Sequence, residues 1–166
     1  MNIELGKNID TRELETKIQK FWDENNFWDN DVNSNKKSFC VMMPPPNVTG
    51  NLHMGHALDN VLPDIICRYK RMNGFDVLWQ PGTDHASIAT QLLVERDLSK
   101  RGINPHSLSL EEKLDCAWKW KADKGGQILN QLHILGVTPV WKRERFTMDE
   151  GLSRAVTKLF VKMYNE

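Results

Sequence analysis

The first part of the chain alternates between short apolar runs and longer amphipathic segments. A continuous apolar run at 38–43 predicts a strand buried on both faces, and three prolines end it. Apolar residues then recur at three- and four-residue steps over 54–72, which predicts an amphipathic helix whose terminal methionines pack in the core. A second strand is predicted at 75–79 and another helix at about 87–100. This order predicts adjacent parallel strands joined by right-handed crossover helices.

Helical patterns flank this unit on both sides. Asp10, Ser109 and Thr147 are each followed three positions later by glutamate. This is the spacing of a helix-capping box, so a helix is predicted to begin at each of them. The Gly125–Gly126 pair predicts an interruption, followed by a separate short helix at 128–135.

Composition and charge narrow the possible functions. The 166 residues include 22 Lys+Arg and 22 Asp+Glu, so the chain as a whole has no positive field to attract a nucleic acid. No apolar run approaches the ~20 residues that a membrane span needs, and residues 1–10 contain no secretory signal. Three widely spaced cysteines predict reduced, mostly buried thiols rather than a disulfide framework. A soluble, cytoplasmic protein is expected.

The strongest chemical signal is the stretch PPPNVTGNLHMGH at 44–56, between the first strand and its helix. In open α/β sheets, ligands bind outside the carboxyl ends of the strands, and a helix that begins there offers free N–H groups to phosphate. His53 and His56 are three residues apart, so they share one face of the first helical turn and can donate hydrogen bonds to phosphate oxygens. Gly55 leaves room for a flat ring to approach the backbone.

This stretch resembles the signature of the class I aminoacyl-tRNA synthetases, which join an amino acid to the α-phosphate of ATP and then to tRNA. It is most similar to the valine enzymes, and WQPGTDHASIATQ at 79–91 and RERFTMDE at 143–150 agree with that resemblance. The resemblance implies an α/β fold, with the first half of a Rossmann-like catalytic domain at 38–104. An N-terminal helix and loop at 1–37 would precede it, and a helical segment at 105–166 would lead towards an editing insertion.

The resemblance also implies the site residues. The ATP-binding residues would be Pro46, Asn47, Val48, Thr49, Gly50, Asn51, Leu52, His53, Met54, Gly55 and His56. The valine-binding residues would be Pro44, Pro45, Pro46, Asn47 and Asp84. His53 and His56 would be catalytic, and Asp84 would pair with the valine ammonium group. ATP would arrive with Mg²⁺, tRNA(Val) would be the other substrate, and no zinc or other metal site is expected. From the residues alone, Asp84 is equally well explained as the N-cap of the next helix.

Several features depart from the family pattern. Ser87 stands where the family usually has glycine, Val140 where it has aspartate, and His133 where it has a basic residue. Pro63 lies inside the signature helix and is expected to kink it. The second nucleotide signature of the family, Lys-Met-Ser-Lys-Ser, does not occur in the sequence. The chain is therefore expected to be the N-terminal part of a catalytic domain, poorly active by itself, with an exposed sheet edge open to association.

Two alternatives remain open. One is a metal-dependent hydrolase, whose candidate ligands would be His53, His56, Asp84 and His85. The other is a non-catalytic relative that binds a partner or tRNA, which would account for the departures from the family pattern. Trp118, which lies among lysines, is expected to be a core residue rather than part of a nucleic-acid surface.

Overall fold

The computed structural model describes residues 10–166. The expectation that the N-terminus has no secretory signal concerns residues 1–9, which lie outside the described residues. The helices are α1 (Thr11–Asn25), α2 (Met54–Met72), α3 (Ser87–Lys100), α4 (Leu110–Leu135) and α5 (Glu150–Asn165). The strands are β1 (Ser38–Met42), β2 (Asp76–Gln80), β3 (Gly82–Thr83) and β4 (Arg145–Phe146). None of the helices in residues 10–166 combines the length and the apolar character of a membrane span.

The strands pair in parallel, as the alternating pattern predicts. β1 pairs with β2 over its whole length, and β3 pairs with β4. A further parallel bridge joins Asn47 to Asp84. Only Pro81 separates β2 from β3, so residues 76–84 form one extended segment. On one side this segment pairs with β1 and with residues 46–48, and on the other side it pairs with the segment that contains β4. The prediction of adjacent parallel strands with crossover helices is therefore confirmed.

β1 differs from the prediction of a strand buried on both faces. Phe39 and Val41 pack against the core, whereas Cys40 and Met42 are exposed. Within the described residues β1 pairs with β2 alone, so it is an edge strand. A strand that is covered on one face shows this two-residue alternation of burial. The expectation of buried thiols holds for Cys67 but not for Cys40.

α2 buries a polar side and exposes its apolar side. Its buried residues are Asn60, Asp64 and Cys67, whereas Met54 is 83% and Met72 79% exposed. The exposed set also includes Leu58, Val61, Leu62, Ile65, Ile66 and Tyr69. The expected core position of the two methionines is therefore wrong, because the side of α2 that faces the rest of the described chain carries Asp64, Arg68 and Arg71, whose charges are paired with groups there.

These polar residues bind the segment that follows α4. The Asp64 carboxylate accepts hydrogen bonds from the backbone N–H of Thr138 at 2.9 Å, from the Thr138 hydroxyl, and from Arg68 Nε at 2.7 Å. Arg71 donates to the Thr138 hydroxyl and carbonyl at 2.7 and 2.8 Å, and Arg68 also donates to the Gly136 carbonyl at 2.6 Å. The charges in this Asp64 network are thus paired, which is the condition for removing them from water.

α1 is attached to the same region by aromatic contacts. The Arg68 guanidinium lies 5.2 Å from the ring centroids of both Trp22 and Trp28. The two indoles meet edge to face at 5.1 Å. The Gln19 amide donates a hydrogen bond to the His133 carbonyl near the end of α4. Cation–π contacts of this kind contribute modestly to stability, and here they fix α1 against α2.

Two helix predictions need correction. α4 is one helix of 26 residues that continues through Gly125 and Gly126, although each glycine costs a helix about 1 kcal/mol relative to alanine. Gly125 is buried, and a Cβ at this position would lie 3.9 Å from Cγ1 of Val48, so packing stabilises the helix where its intrinsic propensity is weakest. The N-cap of α5 is Asp149 rather than Thr147.

The core forms where α4 packs against the sheet. Trp79 of β2 and Ile128 and Leu132 of α4 have no exposed surface. Val140 is also fully buried, and its N–H donates to the Trp79 carbonyl at 2.9 Å. An aspartate at position 140 would be a buried charge in this setting, which costs free energy unless it is paired. Valine therefore suits the position despite its departure from the family pattern.

The Asp64 network predicts a large effect of one substitution. Asp64→Ala removes the acceptor of buried donors on Thr138 and Arg68, and we expect it to lower the free energy of unfolding by about 3 kcal/mol. Urea denaturation followed by circular dichroism measures this quantity. The matched control is Asp59→Ala on the exposed side of the same helix, for which we expect a change within about 0.5 kcal/mol. Equal effects of the two substitutions would contradict the assignment.

Candidate active site

The predicted valine-binding residues meet at the carboxyl end of the sheet. The Asp84 N–H donates to the Pro46 carbonyl at 2.8 Å, and the Val48 N–H donates to the Asp84 carbonyl at 2.9 Å. This backbone pairing places Asn47 beside Asp84. Pro46 is buried, whereas the two prolines before it and Asn47 are exposed. The structure therefore brings the proline segment and the aspartate together, although more than thirty residues separate them in the sequence.

Thr147 holds the Asp84 carboxylate. Its hydroxyl donates to Asp84 Oδ1 at 2.9 Å, accepts the His85 backbone N–H at 2.9 Å and lies 2.6 Å from His85 Nδ1. A hydroxyl has a single proton to donate, and that of Thr147 is used in the hydrogen bond to Asp84. In the contact between His85 Nδ1 and the Thr147 oxygen, the histidine ring is therefore the donor. The Asp84 side chain is 34% exposed, which leaves the carboxylate accessible to a ligand. The N-cap of α3 is Ala86, so the explanation of Asp84 as a helix cap is wrong.

The two signature histidines cap the start of α2 with their own rings. The His53 N–H donates to His56 Nδ1 at 3.2 Å, and the Gly55 N–H donates to His53 Nδ1 at 3.1 Å. A neutral imidazole that accepts at Nδ1 carries its proton on Nε2. Each ring therefore keeps one Nε2–H donor at the positive end of the helix dipole, an arrangement suited to an anion.

The protonation of His56 reflects this crowded setting. The two rings lie 3.9 Å apart between centroids. Burial is the main cause that lowers the pKa of His56 from 6.5, the neighbouring His53 lowers it further, and Asp59 opposes the change. The neutral form of His56, which the hydrogen bond from the His53 N–H requires, is thus favoured.

Gly55 makes room for a ring of the chain itself. A Cβ at this position would lie 2.9 Å from Cε1 and 3.0 Å from Nδ1 of His53. Real Cβ atoms do not approach ring atoms that closely, so any larger residue would push the imidazole away. The flat ring that glycine was expected to admit is, in this structure, the His53 imidazole.

The remaining predicted ATP-binding residues form one continuous path between these two parts. We call 47–52 the signature loop. Val48 is buried, Thr49, Gly50 and Leu52 are half-buried, and Asn51 is exposed. Met54 lies at the first position of α2 with its side chain exposed. The path therefore runs from the strand end beside Asp84 to the start of α2.

An apolar cleft of about 480 Å³ opens beside the strand end, between α3 and α4. Its lining includes Val48, His85 and Ser87. Trp118 and Phe146 also line it, with their ring centroids 5.9 Å apart. Trp118 is 47% exposed, so its expected core position is wrong. The ring forms a wall of this cleft instead.

The candidate ligands of the metal-hydrolase alternative do not form one cluster in the described residues. Within residues 10–166, no group of three or more His, Cys, Asp or Glu side chains is placed to hold a metal ion. His53 is paired with His56, while Asp84 and His85 share Thr147. Two pairs of this kind do not provide the three protein ligands that a catalytic zinc needs.

Comparison with known proteins shows the family of the chain. The sequence profile of the family described as tRNA synthetases class I (I, L, M and V) matches residues 17–166. The chain belongs to this synthetase family.

Individual relatives give a finer picture of the similarity. The valine--tRNA ligase of Syntrophotalea carbinolica is 54% identical over 166 residues, which is 100% of the chain and 18% of that relative. The valine--tRNA ligase of Geobacter sulfurreducens is 53% identical over 163 residues, or 98% of the chain and 18% of the relative.

A solved structure shows the same fold. The LeuRS of Agrobacterium radiobacter, in a ternary complex with tRNA and LeuAMS, matches with a TM-score of 0.76 at 25% identity, covering 95% of the chain. The synthetase chain described here spans 18% of that LeuRS and 18% of each of the two valine--tRNA ligases.

Ser87 has backbone strain that the sequence did not reveal. Its φ is +37° and that of the preceding Ala86 is +50°. Residues with a side chain pay about 1–2 kcal/mol in the left-handed region, whereas glycine does not. Glycine, the usual family residue at this position, would therefore fit the backbone better than serine.

This strain predicts that Ser87→Gly stabilises the protein. We expect the free energy of unfolding to rise by about 1 kcal/mol, measured by urea denaturation. Ser153→Gly is the matched control, because Ser153 lies inside α5 and has no positive φ. That variant should lose about 0.5–1 kcal/mol. A loss of stability in both variants would show that the strain at Ser87 is absent.

The lowered pKa of His56 predicts a pH dependence of stability. Between the folded pKa and 6.5, the unfolded chain binds more protons at this residue than the folded protein does. The free energy of unfolding should therefore rise with pH through this window and level off above it. Urea denaturation at pH 5.5, 6.5 and 7.5 tests this. His56→Asn should reduce the slope, whereas His106→Asn, outside the histidine pair, should leave it unchanged. An unchanged slope in His56→Asn would contradict the prediction.

Proposed function

We propose that the protein is a valine–tRNA ligase, which activates valine with ATP and transfers it to tRNA(Val). The observation that carries this proposal is the course of one segment: it pairs with Asp84 at 46–48 and continues through the signature loop to the His53–His56 helix start. Identity of 54% and 53% to two valine--tRNA ligases supports valine as the amino acid.

In this proposal the residues from Pro46 to His56 bind ATP. The Nε2–H groups of His53 and His56 donate hydrogen bonds to phosphate oxygens, and the N-terminus of α2 adds the positive end of its dipole. These donors are fixed before the substrate arrives, so little reorganisation is needed as negative charge develops. Mg²⁺ bound to ATP would supply further positive charge to the phosphates.

The amino acid binds at the strand end. The Asp84 carboxylate pairs with the ammonium group of valine, held in place by the Thr147 hydroxyl. The segment from Pro44 to Asn47 forms the neighbouring wall. Prolines provide a rigid apolar surface for a branched aliphatic side chain, since their φ is already fixed. Valine is thus oriented with its carboxylate free to react.

The reaction is an in-line displacement at phosphorus. A carboxylate oxygen of valine forms a bond to the α-phosphorus of ATP, and the bond from that phosphorus to the bridging oxygen of pyrophosphate breaks. In a second step, a terminal ribose hydroxyl of tRNA(Val) forms an ester bond to the carbonyl carbon of valyl-adenylate and gives up its proton to the solvent, while the bond from that carbon to the phosphate oxygen breaks and AMP leaves. Positioning and charge stabilisation account for most of such catalysis, so no side-chain nucleophile is required.

The test is valine-dependent exchange of pyrophosphate into ATP by the protein expressed from its own gene in its natural length. We expect exchange with valine to exceed that with leucine or isoleucine. His56→Ala should lower kcat/KM for ATP about a hundredfold, because one preorganised donor to the developing charge is lost. His106→Ala should not change the rate. Absence of valine-dependent exchange, or an unchanged rate in His56→Ala, would contradict the proposal.

A further inference from the structure

Helix α4 contacts the signature loop through two side chains. The Trp120 indole N–H donates to the Val48 carbonyl at 2.8 Å. Eleven residues later, the Gln131 side-chain oxygen accepts the Leu52 N–H at 2.8 Å. Eleven residues are close to three turns of an α-helix, so both side chains project from the same face. One face of α4 therefore contacts the loop near its beginning and at its end.

The loop packs most closely at its two ends, where Val48 is buried and Leu52 packs against the hydrophobic core. Val48 is 1% exposed and packs near Gly125 of α4. At Gly50, by contrast, a Cβ would have no atom within 4 Å. The middle of the loop is half-buried, with open space beside Gly50. Its conformation depends on how its two ends are held.

The end at Leu52 determines where the histidines lie. Leu52 directly precedes His53, the N-cap of α2. The His53 ring is bonded to the Gly55 N–H and lies so close to Gly55 that a Cβ there would be 2.9 Å away. The position of the ring is therefore set by the backbone at 52–55, and the Gln131 hydrogen bond fixes the first residue of that backbone.

We infer that Gln131, together with Trp120, is a positioning residue for the reaction. The two side chains make α4 a template that places the signature loop, and through it the Nε2–H donors of His53 and His56. The catalytic part of this inference rests on the proposed function. The structural part does not, because it concerns hydrogen bonds within the chain. A residue that acts only on stability would not move the histidines or change one kinetic constant selectively.

The first measurement is amide hydrogen exchange at Leu52, followed by NMR. Gln131→Leu removes the acceptor with little change in volume, and we expect exchange of the Leu52 N–H to become at least about tenfold faster. The His53 and His56 ring signals should shift in the same variant. Gln131→Glu keeps an acceptor oxygen and should preserve the protection. Gln127→Leu is the matched control and should behave like the unaltered protein, because Gln127 is exposed one turn earlier on α4 and bonds to Lys124 and Asp123 rather than to the signature loop.

The second measurement is valine-dependent pyrophosphate exchange with the same variants. Gln131→Leu should lower kcat about ten- to hundredfold, because small misplacements of catalytic groups have effects of this size. The KM for valine should stay unchanged, since the Thr147 hydroxyl holds Asp84 and the hydrogen bond of Gln131 is to Leu52. Gln131→Glu should restore kcat, and Gln127→Leu should leave both constants unchanged.

The outcomes separate the two proposals. Unchanged Leu52 exchange and histidine signals in Gln131→Leu would overturn the inference. The inference would also be overturned if Gln131→Leu speeds amide exchange at Leu52 but leaves kcat unchanged, provided that His56→Ala inactivates the protein. If the unaltered protein shows no valine-dependent exchange, the proposed function fails. The amide and histidine measurements then decide by themselves whether Gln131 positions the loop.

Discussion

Backbone pairing of the segment 82–84 with its two neighbours organises the whole candidate site. On one side Asp84 exchanges hydrogen bonds with the Pro46 and Val48 backbone, and on the other the Thr147 N–H donates to the Thr83 carbonyl at 3.1 Å. Parallel pairing aligns the carboxyl ends of all three segments, so their side chains meet at one edge. The proline segment, the aspartate and its threonine partner are adjacent for this reason alone. A one-residue slip in this register would turn Asp84 to the other face.

The orientation of α2 follows from a second constraint, the pairing of buried charges. Asp64 is 7% exposed and is bonded to Thr138, and Arg71 is also bonded to Thr138. Burial lowers the pKa of Arg71 from its usual value. The helix rotates its polar residues towards partners that can satisfy them, because an unpaired buried charge costs more than an exposed apolar side chain. The signature histidines lie at the start of the same helix.

The sequence predicted much of the fold and part of the site. The parallel strands, α3, and the caps at Asp10 and Ser109 agree with the expectations. The resemblance to a family to which the chain belongs also singled out the histidines and Asp84, whose roles in binding and catalysis stay predictions. Thr147 was missed, because its spacing to a glutamate matched a helix cap. Gln131 and Trp120 were missed because nothing in a helical pattern distinguishes a side chain that bonds to a distant backbone from one that faces water.

What the sequence by itself determined is local. Periodicity, caps and proline positions act over a few neighbouring residues, so they indicate which segments form helices and strands but misplaced the start of α5 and a break in α4. The tertiary structure alone decided that α2 faces inward with Asp64, that α4 stays helical through Gly125, and that Ser87 adopts a positive φ. It also decided the partners of Leu52 and Asp84, which lie 79 and 63 residues away at Gln131 and Thr147. Burial and hydrogen-bond partners depend on such distant pairs. Local sequence patterns do not predict which distant residues come into contact.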